Sequence, residues 1–268
     1  MYSPSDYKYI GSDKVSAIGM GTYGIRSYDR AFEAFVYAIT RGVNLLDTAE
    51  MYDSGRAEEF VGRVVKEVGR DSVFITTKML PSRLEDKDAV VKAARESLRR
   101  IGVAYVDLYL IHWPNERISI QQQIQNFEVL ADLGLTRYIG VSNFDAAQLR
   151  IAMQSTKKSE IAVNQVHYSV PSRYYIEKEL LPYCIERGVV IQAYTPLERG
   201  SIAVNPALIS VASKYNKSPI QVALNYLISH KNVVAIPKSE TIEHVQEIVG
   251  SMGWRLDLKD LEYIKKRA

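Results

Sequence analysis

Short apolar runs rich in β-branched residues alternate with longer amphipathic segments along the whole chain, and few folds accept that alternation. It is the pattern of parallel strands joined by helical crossovers. Eight runs qualify, at residues 15–20, 43–46, 73–76, 106–111, 138–141, 161–165, 189–193 and 233–236. Eight strands fit a closed barrel, and a length of 268 residues suits either one large α/β barrel or two small domains. No linker, repeat or low-complexity stretch divides the chain. The expectation is therefore one domain over residues 1–268, a single (β/α)8 TIM barrel, with a strand and turn at residues 9–14 preceding it and covering its lower end.

The helices between the strands have legible ends. Residues 29–41, 86–101 and 174–187 are each followed by glycine, at Gly42, Gly102 and Gly188, which supplies a left-handed cap. The interval between the seventh and eighth strands is longer. Within it, Ser218-Pro219 reads as an N-cap and first-turn proline, so that crossover should carry two helices.

Composition narrows the functional classes. Hydrophobic residues make up 47% and charged residues 24% of the chain, enough to predict a folded core throughout. The net charge of +3 is too small to imply a nucleic-acid or membrane partner, and no run of about 18 apolar residues occurs. Residues 1–10 lack the apolar core of a signal peptide. A single cysteine, Cys184, permits neither an intramolecular disulfide nor a thiol-rich metal cage, and it reads as a small buried residue of a helix. These features predict a soluble cytoplasmic monomer without a metal site.

In a β/α barrel the active site forms at the carboxyl ends of the strands. The polar residues placed there are Asp47, Thr77, Lys78, His112, Ser142, Asn143, Gln165, Tyr194, Lys238 and Ser239. Tyr52 follows Asp47 by five positions. Six segments in order then carry a resemblance: Gly19-Met20-Gly21-Thr22, residues 47–52, Ile111-His112-Trp113-Pro114, Gly140-Val141-Ser142-Asn143-Phe144, Asn164-Gln165-Val166-His167-Tyr168 and Ile236-Pro237-Lys238-Ser239. Together they resemble the aldo-keto reductase superfamily nearly end to end.

That resemblance implies NADPH-dependent reduction of a carbonyl, with Asp47, Tyr52, Lys78 and His112 as the catalytic tetrad. Charge grows on the carbonyl oxygen as hydride reaches the carbon, and a proton donor there lowers the barrier. A phenol with a pKa of about 10 is a sluggish donor at neutral pH. An ammonium at Lys78 is expected to bring Tyr52 nearer to working range, with Asp47 holding Lys78 charged and oriented. His112 would act either as a neutral hydrogen-bond donor or as a charged acid.

The resemblance also implies cofactor contacts. Ser142, Asn143 and Gln165 would hold the nicotinamide carboxamide, Tyr194 would stack on the ring, and Thr195, Leu197 and Ser201 would lie along the pyrophosphate. Lys238 and Ser239 are expected to open a helix at the eighth strand and to bind the 2′-phosphate of NADP(H). Where the family usually has arginine, glutamate and asparagine, this chain has His244, Glu247 and Ile248. Histidine lacks the permanently charged fork of arginine, so NAD(H) should be usable as well. Tyr23, Met79 and Trp113 are expected to wall an open pocket for small polar or sugar-derived carbonyls. Two other functions fit the same residues: a Schiff-base aldolase using Lys78 as nucleophile, and a non-catalytic, cofactor-binding regulatory subunit.

Overall fold

Side chains alternate across a strand, so one set of alternate residues faces a barrel's interior and the other faces its helices. The computed structural model, which describes residues 6–268, follows that rule; the first five residues of the segment read for a signal peptide lie outside it. Strands β1 (Tyr7–Ile10) and β2 (Asp13–Ser16) form an antiparallel hairpin. Gly11 turns it with φ +57°, and a Cβ there would collide with the Tyr138 ring.

Eight parallel strands follow: β3 (Met20–Gly21), β4 (Leu45–Asp47), β5 (Phe74–Met79), β6 (Val106–Ile111), β7 (Thr136–Ser142), β8 (Ile161–His167), β9 (Val190–Tyr194) and β10 (Val233–Ala235). Each pairs with its sequence neighbours. Closure comes from a parallel bridge between Ile18 and Ala235, where Gly19 N donates to the Ala235 carbonyl at 2.8 Å. Leu45, Phe74, Leu108, Leu110, Val163, Val190, Val234 and Ile236 pack together with Ile10 and Val15 of the hairpin, which thereby plugs the end where the strands begin.

Helices α1 (Tyr28–Thr40), α2 (Arg56–Val68) and α3 (Lys87–Ile101) follow β3, β4 and β5. Helices α4 (Ile120–Phe127) and α5 (Val129–Asp132) follow β6, α6 (Ala146–Ser155) follows β7, and α7 (Leu181–Arg187) follows β8. The pair α8 (Pro206–Tyr215) and α9 (Pro219–Ser229) fills the long crossover, and α10 (Ile242–Val249) and α11 (Leu258–Arg267) complete the chain. Ser218 caps α9 as expected, accepting from Gln221 N in a reciprocal capping box. Among the described residues no helix is long and apolar enough to cross a membrane.

Four details differ from the sequence reading. The run 15–20 is divided between β2 and β3, because Ser16 ties itself to Asn44 and donates to the Ile18 carbonyl, turning the chain into the barrel. An apolar run carries no sign of such a change in direction. The strand ends also reach further than their apolar runs. Lys78 pairs with Leu110 and Ser142 with Gln165, so Asp47, Lys78, Ser142 and Tyr194 lie on strands rather than beyond them, and β8 runs past Gln165 to His167. The helix read as 174–187 widens to a π turn at Ile176–Leu180, where Leu181 N–H bonds to the Ile176 carbonyl. Pro182 withholds an amide from the next turn. Lastly, Lys238 and Ser239 do not open α10: Thr241 is its N-cap, accepting from His244 N, and the two residues lie in the preceding loop.

Candidate active site

Asp47 and Lys78 sit on inward-facing positions of neighbouring strands and are buried. An ammonium there needs acceptors for all three of its protons. Lys78 Nζ has them: Asp47 Oδ1 at 2.6 Å, the Thr48 carbonyl at 2.8 Å and the Tyr52 hydroxyl at 3.1 Å. The other oxygen of Asp47 accepts from Gln165 Nε2 at 2.7 Å. Burial pushes the Asp47 carboxyl up, and Lys78 and Gln165 oppose it. Burial alone would lower Lys78, but Asp47 and Tyr52 outweigh it and hold the ammonium above its ordinary value.

Tyr52 contradicts one expectation. Burial raises the phenol above 10, and the downward pull of Lys78 does not overcome it. Tyr52 is therefore a neutral acid across the physiological range, and Lys78 moderates its pKa without bringing it to neutrality. His112 packs edge-on to Tyr52 with ring centroids 5.6 Å apart. Burial, reinforced by the charge of Lys78, lowers its pKa to about 3, so the imidazole is neutral. Its Nδ1 is buried without a partner.

A second polar string runs across β7, β8 and β9. Ser142 Oγ donates to the Gln165 carbonyl at 2.8 Å, Asn143 Nδ2 donates to the His112 carbonyl at 3.0 Å and to Ser142 Oγ at 3.1 Å, and Tyr194 OH donates to Asn143 Oδ1 at 2.8 Å. Asn143 takes a left-handed φ of 62°, which asparagine tolerates better than most residues. No described residue donates to Gln165 Oε1, leaving one acceptor beside Asp47 open to a ligand amide. Amide and hydroxyl groups of this kind are the partners a carboxamide takes, so the donor set fits a nicotinamide, which would meet the open Gln165 Oε1 and exchange with bonds that Ser142 and Asn143 now make to their neighbours.

Thr195 and Leu197 lie in the turn after β9 and Ser201 in the 3-10 segment Glu198–Val204 that follows it, a stretch that a sequence reading could place but not shape. Glu198 in the same segment accepts from His167 Nε2 at 2.7 Å and Ser169 Oγ at 2.5 Å, and His167 stacks on the Tyr194 ring at 5.7 Å and 13°. At the loop after β10, Lys238 Nζ pairs with Glu240 Oε1 at 2.8 Å, so the ammonium expected at the 2′-phosphate already has an acidic partner. His244 is exposed at the start of α10, and the Glu247 carbonyl accepts from Gln221 Nε2.

Of the three pocket residues, Tyr23 is 62% and Trp113 38% exposed, and they contact Tyr52 and His112 respectively. Met79 is wholly buried among the residues that pack the strands against the helices. Its neighbour Lys78 faces inward, so alternation turns Met79 away from the pocket. Sequence reasoning missed the Thr48 carbonyl and Glu240; a carbonyl has no sequence signal, whereas an acidic residue two positions from Lys238 was visible and unused. Among the described residues no cluster of three or more His, Cys, Asp or Glu side chains could hold a metal ion.

The sequence profile of the Aldo/keto reductase family matches residues 17–268. The chain is 35% identical to a methylglyoxal reductase of Escherichia coli over 97% of its own length and 93% of the relative's. It is 33% identical to a glyoxal reductase of Bacillus subtilis, over 92% and 86%. Its structure is similar to that of a thermostable aldo-keto reductase solved with the inhibitor epalrestat (TM-score 0.92, 32% identity, 98% and 99% of the two chains). It is also similar to an aldo/keto reductase of Klebsiella pneumoniae solved with NADP and acetate (TM-score 0.90, 32% identity, 97% and 94%).

Proposed function

Because the chain belongs to the aldo/keto reductase family, we propose that it reduces small aldehydes and ketones to alcohols with NADPH, Tyr52 giving the proton. The observation that carries this is the hydrogen bonding of Lys78. Its third proton goes to the Tyr52 oxygen, so the hydroxyl's own proton is left to point at a substrate carbonyl. NADPH, when bound, supplies the hydride that adds to the carbonyl carbon.

The residues of this chain do the rest. Tyr52 holds a proton at Oη until the carbonyl oxygen gains charge, and Lys78, fixed by Asp47 and the Thr48 carbonyl, stabilises the phenolate left behind. His112 is neutral. A buried N–H with no acceptor is less tolerable than a lone pair with no donor, which puts the ring proton on Nε2, where it can polarise the same carbonyl oxygen. Ser142, Asn143 and Gln165 would orient the nicotinamide carboxamide, and Tyr194 would cover one face of the ring. Thr195, Leu197 and Ser201 would border the pyrophosphate, with Lys238, Ser239, His244 and Glu247 at the adenosine end.

The raised ammonium of Lys78 counts against an aldolase, which needs a neutral amine as nucleophile. The reductase names of the relatives and the intact tetrad count against a purely regulatory subunit. Methylglyoxal and glyoxal, the compounds in those names, are small vicinal dicarbonyls and suit a pocket framed by the exposed Tyr23 and Trp113. We take residues 1–268 as one domain, a reading supported by the one eight-stranded sheet that runs from β3 to β10, and as a cytoplasmic monomer, with the buried thiol of Cys184 fitting a reducing compartment.

The test is a panel of methylglyoxal, glyoxal and aldoses with NADPH, following loss of nicotinamide absorbance and the alcohol formed. One alcohol per cofactor oxidised is expected. Cofactor binding without turnover on any carbonyl, or borohydride trapping of a substrate on Lys78, would overturn the proposal.

A further inference from the structure

The ion pair after β10 involves more than its two side chains. Glu240 Oε1 accepts from Lys238 Nζ at 2.8 Å and from Arg26 N at 3.1 Å, and Glu240 Oε2 accepts from Ser27 N at 3.1 Å. Ser27 is the N-cap of α1, so one carboxylate straps the loop after β3 to the loop after β10. Its side chain is 14% exposed and that of Lys238 is 33% exposed. Burial would raise the carboxyl, but Lys238 and the two amides hold it below its ordinary value, so it is anionic at neutral pH. The strap is thus a fixed negative charge against the one cation assigned to the 2′-phosphate.

A phosphate at this loop would have to share Lys238 with Glu240 and lie beside a like charge. The nearby position where arginine would serve as a bidentate partner is His244, and Glu243 next to it adds another acidic group. A ribose with a free 2′-hydroxyl meets the opposite situation: the hydroxyl is a donor, and a carboxylate already ordered by two amides is a strong acceptor for it. We infer that Glu240 is a specificity-determining residue that engages Lys238, weakens the preference for the 2′-phosphate and admits NADH. The inference rests on the reading that this loop receives the adenosine end of a dinucleotide.

The test is isothermal titration of the wild-type protein and of Glu240→Gln, Lys238→Met and the double variant with NADP+ and NAD+, with thermal melts alongside. Glutamine keeps the shape and can still accept from one amide. Freeing Lys238 should raise the ratio of NADP+ to NAD+ affinity by about tenfold or more, on the scale of a charged hydrogen bond. Lys238→Met should weaken NADP+ by less than about threefold in the wild-type background, where the cation is already engaged, and by about tenfold or more beside Glu240→Gln. A ratio unchanged in a Glu240→Gln protein that melts like wild type would overturn the inference. So would a tenfold loss of NADP+ affinity from Lys238→Met alone, which stands even if Glu240→Gln folds poorly. Failure of the wild type to bind either dinucleotide is a different result: it would remove the reductase reading and this inference with it.

Discussion

The three protons of Lys78 meet three oxygens, one from a carboxylate, one from a carbonyl and one from a phenol. That count leaves little freedom: Asp47 fixes the charge, Thr48 the direction, and Tyr52 is the only one of the three with a proton to give. His112 offers a pH signature. Its folded pKa is about 3, against about 6.5 in the unfolded chain. Below about pH 6.5 the unfolded state takes up a proton that the folded state refuses, so this group's contribution to stability is whole above that pH and is lost progressively as pH falls toward 3. The fall in Tm between about pH 7 and 4 should therefore be shallower in His112→Asn than in wild type; equal slopes would show that burial does not hold the imidazole neutral. Strand ends alone pointed to Asp47, Lys78 and His112, and it was the family resemblance that joined Tyr52 to them as one site; the structure brings the four side chains together. Glu240 was readable as an acid two positions from Lys238, but a loop has no period to indicate which of its side chains meet.

Strands bring these residues together, and β7 shows how little slack they have. Gly140 lies in β7 at a register shift against β8, and a Cβ there would stand 2.6 Å from the Val163 carbonyl and 2.7 Å from Leu110 Cδ2. Neither backbone nor packed core can yield that much without moving the strand. Gly140→Ala should cost about 1–3 kcal/mol of stability in a denaturant titration. It should also weaken dinucleotide binding, because Ser142 two residues on bonds to the Gln165 carbonyl across the same seam. Unchanged stability would mean that β7 is free to shift. At this scale the sequence reading was right about order and wrong about ends. Eight strands, a long crossover with two helices and the Ser218 cap of α9 follow from apolar periodicity and turn chemistry. The ends do not, because a strand that enters the site carries Lys78 or Tyr194 on its inner face and ceases to look apolar while its backbone ladder continues. The same alternation, applied from Lys78, would have removed Met79 from the pocket in advance.

The whole barrel separates two tasks along its axis. At the end where strands begin, Ile10 and Val15 of the hairpin join an apolar interior and close it. At the other end, the inward positions turn polar and the ion pair, phenol and imidazole occupy the mouth, with Tyr23 and Trp113 exposed beside them. A buried ion pair is poor at stabilising a fold compared with apolar packing. Its place here is explained by chemistry at a carbonyl oxygen, which the family assignment and the reductase relatives both support. The most direct test is a single-turnover measurement with saturating NADPH and methylglyoxal in wild type and Tyr52→Phe, with NADPH affinity titrated separately. The account predicts reduction slower by at least about 100-fold in the variant, the lower end of general-acid contributions, with NADPH affinity unchanged. A folded Tyr52→Phe protein that reduces methylglyoxal within about threefold of the wild-type rate would contradict it, because some other group would then be delivering the proton.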